Sequence, residues 1–134
     1  MERKKHALKE KNREIKRILK GLIREGKTRQ ALIFLEDNWD LLSFDIELYS
    51  IAGVIYSYQL RIKEAREIIL KGLKKDPKNF DLLFNIGYIC ELQEDYFNAW
   101  NYYQKAKKNM TTEEQEKDLE IVLDSLRKKI KERS

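Results

Sequence analysis

A chain of 134 residues is long enough for one domain with a real core and too short to expect two. Hydrophobic residues at 42% let it fold, charged residues at 38% with a net charge of +5 demand an ion-dense surface, and five glycines with one proline are too few for strands joined by tight turns. The single cysteine, Cys90, excludes an internal disulfide, and one histidine, His6, far from it in sequence, leaves no His/Cys set at metal-ligand spacing.

Helical periodicity runs through the whole chain. Ile15, Ile18, Leu19, Leu22 and Ile23 form one stripe of a first helix, and "EGKT" stops it with Gly26 supplying a left-handed turn. Ala31, Leu32, Phe34 and Leu35 carry a second helix, which "NWDLLSFD" breaks. Leu48, Tyr49, Ala52, Ile55 and Tyr56 mark a third, and Ala65, Ile68, Ile69 and Leu73 a fourth. Pro77 in "KDPKNFD" cannot continue that fourth helix. "FDLLFNIGYICEL" and "YFNAWNYYQKAKK" are a fifth and a sixth, separated by the turn "QED". Thr112 as N-cap with Gln115 three residues on opens a seventh, whose apolar face is Leu119, Val122, Leu123, Leu126 and Ile130. About seven helices and no strands are expected, each short enough to need tertiary packing.

The helices repeat. Gly53 recurs as Gly87, and Ala31 recurs as Ala65 and again as Ala99, always at the same interval of thirty-four positions. Ile15, Tyr49 and Leu83 share a column, as do Leu22, Tyr56 and Cys90, and Leu35, Ile69 and Tyr103. The glycines and alanines let paired helices approach closely, and the large apolar columns fill the space beside them. Cys90, beside Glu91 and late in its helix, reads as core filling rather than as a reactive thiol.

On these residues the chain resembles the tetratricopeptide repeat, a 34-residue helix-turn-helix unit. The resemblance covers units of about 12–45, 46–79 and 80–113, with a terminal capping helix over 114–133. The third unit matches best, through Leu83, Ile86, Gly87, Tyr96, Ala99, Tyr103 and Ala106. The first departs most, with Leu19 and Asn38 where small residues are usual. What the resemblance implies is a single all-α domain, a right-handed superhelical solenoid of antiparallel helix pairs, because one unit cannot bury its faces alone.

In proteins of this family, positions on the first helix of each unit line a concave groove. Here those positions are Lys16 and Lys20, then Ser50 and Val54, then Phe84, Tyr88 and Glu91. The expected groove is basic at its first end, small in the middle and aromatic at the far end. It suits an extended or helical peptide with acidic and apolar residues. Some members clamp a C-terminal carboxylate with Lys, Asn and Arg on successive first helices. Only Lys16 fits that set, and Lys20, Ile51, Asp81 and Asn85 depart from it, so this clamp is not expected.

The implied function is a non-catalytic protein-interaction module. No nucleophile with its base, phosphate loop or convergent acid pair is evident, and neither cofactor nor metal is expected. A rival reading is RNA binding by a helical-repeat protein. Residues 1–29 hold twelve Lys/Arg against four acids and favour it, whereas residues 30–60 hold five acids with no Lys or Arg and would repel phosphate. A third reading is an accessory domain of a bacterial sugar-modifying enzyme, although Met1 and the capped end lead to the expectation of a complete chain. Self-association through Trp39, Trp100 or the helix ends is a further alternative. Without an apolar run of membrane-spanning length or a signal-peptide core, a cytoplasmic protein is expected.

Overall fold

The structure, a computed structural model, describes residues 2–42 and 45–133. Among these residues there are eight helices and no strand: α1 (Glu2–Arg24), α2 (Thr28–Asp37), α3 (Trp39–Leu42), α4 (Ile46–Tyr58), α5 (Ile62–Lys75), α6 (Phe80–Leu92), α7 (Tyr96–Lys108) and α8 (Glu113–Arg133). Seven are the expected ones. The eighth, α3, is a single turn inside the expected break at "NWDLLSFD", of which Ser43 and Phe44 lie outside the described residues. Contacts divide the chain into two compact units, Met1–Ile68 and Ile69–Ser134, with the boundary inside α5.

The first unit is built on a core of Ile15 and Leu19 from α1, Ala31, Leu32 and Leu35 from α2, and Leu48, Ile51, Ala52 and Ile55 from α4. Leu19, the large residue in a column of glycines, is fully buried there. Helix α1 begins about ten residues before the repeat frame, and most of its leading turns are exposed. Helix α2 is the short member of its kind, ten residues against fourteen in α5. Asn38 ends it, donating from its side-chain amide to the Phe34 carbonyl at 2.8 Å. Trp39 then packs edge-on to Tyr49, with centroids 5.5 Å apart.

The second unit buries Phe80, Leu83 and Cys90 of α6 with Ala99, Tyr103 and Ala106 of α7 and Leu119, Leu123 and Leu126 of α8. Gly87 faces the Tyr103 ring so closely that a β-carbon there would stand 2.6 Å from a ring carbon. This is the close helix approach that the glycine column requires. Thr112 and Gln115 form the expected capping box: the Gln115 amide donates to the Thr112 hydroxyl at 3.1 Å, and the Thr112 amide donates to the Gln115 side chain at 3.3 Å.

The repeat is written into the backbone as well as the side chains. Gly26, Leu60 and Glu94 stand one repeat interval apart and have φ of 76°, 60° and 60°. At each, two hydrogen bonds close the helix end in the same pattern. Lys27 N–H donates to the Leu22 carbonyl, Arg61 N–H to Tyr56 and Asp95 N–H to Cys90, at 2.8 to 2.9 Å. The inner bonds, from Gly26 to Ile23, Leu60 to Ser57 and Glu94 to Glu91, are 2.9 to 3.0 Å. The first unit, the weakest in side-chain pattern, thus has the same turn as the others.

Leu60 occupies this left-handed position with 83% of its surface exposed. A left-handed residue other than glycine costs roughly 1–2 kcal/mol, and glycine returns roughly 0.5–1 kcal/mol of that as extra entropy of the unfolded chain. Leu60→Gly is therefore expected to raise stability by about 0.5–1 kcal/mol. Urea unfolding measures it, and a lower midpoint would contradict the strain argument.

Candidate partner-binding surface

In the first unit Lys16 and Lys20 project from α1 toward the start of α4. Asp45 caps α4, accepting from the Glu47 amide at 3.1 Å, and this fixes both carboxylates beside the lysines. Lys16 pairs with Asp45 at 2.8 Å and Glu47 at 3.1 Å, and Lys20 pairs with Glu47 as well. Burial works against the Lys16 charge, but hydrogen bonds to Asp45 and Glu47 outweigh it and push its pKa above the ordinary lysine value. The Lys20 hydrogen bond, joined by that of Lys16, holds the Glu47 carboxyl below the usual range despite partial burial. The surface expected to be simply basic is a four-residue ion-pair cluster. Lys20 keeps half of its side chain exposed.

Ser50, the next expected groove residue, is only 8% exposed, and Val54 one turn on is half-buried. Tyr58, a further turn along, is 59% exposed.

In the second unit the three expected residues of α6 separate. Phe84 packs into the core, its ring 5.8 Å from Phe80 and 5.6 Å from Tyr103. Glu91 is 8% exposed and accepts from the Tyr103 hydroxyl at 2.6 Å and from Lys129 of α8 at 2.8 Å. It ties three helices together. Burial first, and then the Glu91 bond, push the Tyr103 hydroxyl far above its ordinary pKa, and the same carboxylate raises that of Lys129. Tyr88 alone of the three stands out to solvent, at 44%.

Tyr88 does not stand by itself. Asp81, Asn85, Tyr88 and Leu92 are spaced four, three and four residues apart, so they form one stripe of α6. Leu92 is 45% exposed. Leu92 and Tyr58 were not expected at a binding surface. They occupy equivalent places in successive repeats, and each lies four residues after a predicted groove residue, Tyr88 or Val54. Extending the groove columns by one turn would have found both.

Among the described residues, no group of three or more His, Cys, Asp or Glu side chains is placed to hold a metal ion, and no helix is long and apolar enough to cross a membrane. Cys90 is fully buried, in agreement with its place in a core column.

No protein-family profile and no curated protein sequence matches the chain. Solved structures do. The type III secretion chaperone SycD of Yersinia enterocolitica, in complex with a peptide of the translocator YopD, superimposes with a TM-score of 0.75 at 15% identity, over 90% of this chain and 92% of that one. The Sgt2 TPR domain of Aspergillus fumigatus gives 0.73 at 18% identity, over 91% and 80%. A type III secretion complex of Aeromonas hydrophila gives 0.77 at 13% identity, over 91% and 84%. The chain has the all-α tetratricopeptide-repeat fold.

Proposed function

We propose that the chain is a non-catalytic protein-binding module that receives an extended or helical segment of a partner on the exposed face of α6, with Tyr88 and Leu92 as the apolar anchor. The observation that carries this reading is the α6 stripe. Most large apolar residues of α6 are buried or packed in the core, yet Tyr88 and Leu92 present 44% and 45% of their surface to solvent on one face. An aromatic and an aliphatic residue one turn apart are the kind of anchors that helical grooves offer to peptides. The YopD peptide bound by the SycD chaperone gives the fold a precedent for this use.

The first unit offers a charged contact surface of its own. An acidic residue on the partner competes with Glu47 for Lys20, the more exposed lysine of the cluster. Because both lysines already meet carboxylates, this contact selects and orients the ligand more than it raises affinity. The same pairing weakens the case for nucleic acid, which needs cations to neutralise phosphate.

Affinity capture from the source cell's lysate tests the reading. Proteins retained by the wild type are expected to be lost with Tyr88→Ser/Leu92→Ser and reduced with Lys16→Glu/Lys20→Glu, while Arg29→Gln, at an exposed position of α2, leaves them in place. Survival of every captured protein in both double variants overturns it.

A further inference from the structure

A second surface lies on the seam between α7 and α8, in the second unit alone. Phe97, Trp100 and Ile130 line an open cleft of about 400 Å³ with Arg127 and Lys131 on α8. Phe97 is 77% exposed and Ile130 39%. The Arg127 guanidinium lies 5.3 Å from the Trp100 ring centroid, which holds its charge at the edge of the apolar floor. Farther toward the start of α8, the same seam opens a smaller cleft lined by Glu116, Glu120, Asp124 and Arg127 of α8, with Lys107 of α7 at its other wall. Arg127 belongs to both.

The two clefts therefore share one stripe of α8. Glu116, Glu120, Asp124, Arg127 and Lys131 follow one another at spacings of four, four, three and four. The stripe is acidic in its first half and basic in its second. Reversed and laid against itself, it pairs Glu116 with Lys131 and Glu120 with Arg127, and both pairs are centred on the same point of the helix. Asp124, beside that point, has its charge met by Arg127 of its own helix at 2.9 Å. This is the pattern of an isologous contact, in which one patch is its own complement.

We propose that the α7–α8 seam is a self-association surface on which the α8 helices of two copies of this chain lie antiparallel. Each acidic half meets the basic half of the other copy, and the Phe97, Trp100 and Ile130 cleft is covered at both ends of the contact. A parallel arrangement is excluded by charge, because it would set Glu116 and Glu120 against themselves. The surface is separate from the α6 stripe, so this inference does not rest on the peptide-binding reading. A dimer built this way leaves Tyr88 and Leu92 to other ligands.

The symmetry provides the test. The mass of the full chain in solution is measured by light scattering and sedimentation from about 1 µM to about 1 mM. Wild type is expected to shift from monomer to dimer across that range. Glu120→Arg places four cations at the two-fold pairs, and Arg127→Glu places four carboxylates there. Each variant alone is expected to dissociate about tenfold more readily or worse. An equimolar mixture of the two is expected to form a heterodimer, because the arginines of one chain then face the carboxylates of the other at both pairs. Circular dichroism checks that both variants remain helical. A wild-type mass that stays monomeric throughout overturns the proposal. So does a dimer that both single variants leave intact, or a mixture that fails to recover it.

Discussion

Replacing Gly87 by valine is expected to destabilise the second unit by about 3 kcal/mol. The added β-carbon would stand 2.6 and 2.7 Å from two carbons of the Tyr103 ring. The ring has nowhere to go, because Tyr103 is fully buried and its hydroxyl is held by Glu91 at 2.6 Å. Either α6 and α7 move apart, or that bond breaks. Alanine meets the same ring but recovers roughly 1 kcal/mol of helix propensity, so its net cost is smaller, about 1–2 kcal/mol. Gly21 is the control. It lies within α1 with nothing inside 4 Å of an added β-carbon, so Gly21→Ala is expected to stabilise by roughly 0.5–1 kcal/mol. Urea unfolding of the three variants separates the cases. A Gly87→Val chain as stable as wild type would show that the Tyr103 contact is not what keeps position 87 small.

The second large effect belongs to Glu91→Leu, expected to cost about 2–3 kcal/mol. The carboxylate is the acceptor for a buried tyrosine hydroxyl and the counter-charge for Lys129, and leucine leaves both without it. Lys129→Met is expected to cost less, about 0.5–1 kcal/mol, because 43% of that side chain is in solvent, where the pair is screened. The same group of residues predicts alkaline lability. Lys129 has a raised folded pKa, so its contribution is complete below the ordinary lysine value of about 10.4 and is lost as pH rises through the folded value. Tyr103, raised first by burial and then by Glu91, keeps its proton in the fold while the unfolded chain releases it above about pH 10. Both act in one direction. Stability should fall as pH climbs past about 10, and less steeply in Glu91→Leu, where Lys129 has lost the carboxylate that raises its pKa. Urea midpoints at about pH 7, 9 and 10.5 measure the slope, and equal slopes in the two chains would contradict the linkage.

What the sequence made legible follows from what repeats. Ala31, Ala65 and Ala99 are all fully buried, and Leu35, Ile69 and Tyr103 are at most 1% exposed, as their shared columns require. Close helix packing acts on every unit alike, so it leaves a mark at each repeat step. Contacts made once leave no such mark. Lys16 finds Glu47 across 31 residues through the packing of α1 against α4, and nothing in either residue's own helix announces it. Glu91 reads from the sequence as a groove residue, because nothing in its own helix announces a buried partner. Its burial depends on Tyr103 reaching back from α7 and Lys129 arriving from α8. Phe84 and Tyr88 are one turn apart and alike in composition, yet the edge of the core runs between them. Periodicity gives the direction of a face but not its boundary. The leading turns of α1 precede the repeat and the single turn of α3 has no counterpart in the other units, so the repeat could not foretell them.

The three left-handed residues at 26, 60 and 94 have a consequence for chain length. Each is followed by a residue whose N–H closes the preceding helix with the same bond, so the junctions after Gly26, Leu60 and Glu94 are interchangeable in backbone geometry. Excising Arg61–Glu94 joins Leu60 to Asp95 across a turn of the same form, and duplicating that segment does likewise. Additions and deletions in whole repeat lengths are expected to preserve this turn, whereas a fractional step would move it out of register with the helix end it closes. The chain is in this sense a modular text, with its punctuation in φ rather than in any particular amino acid.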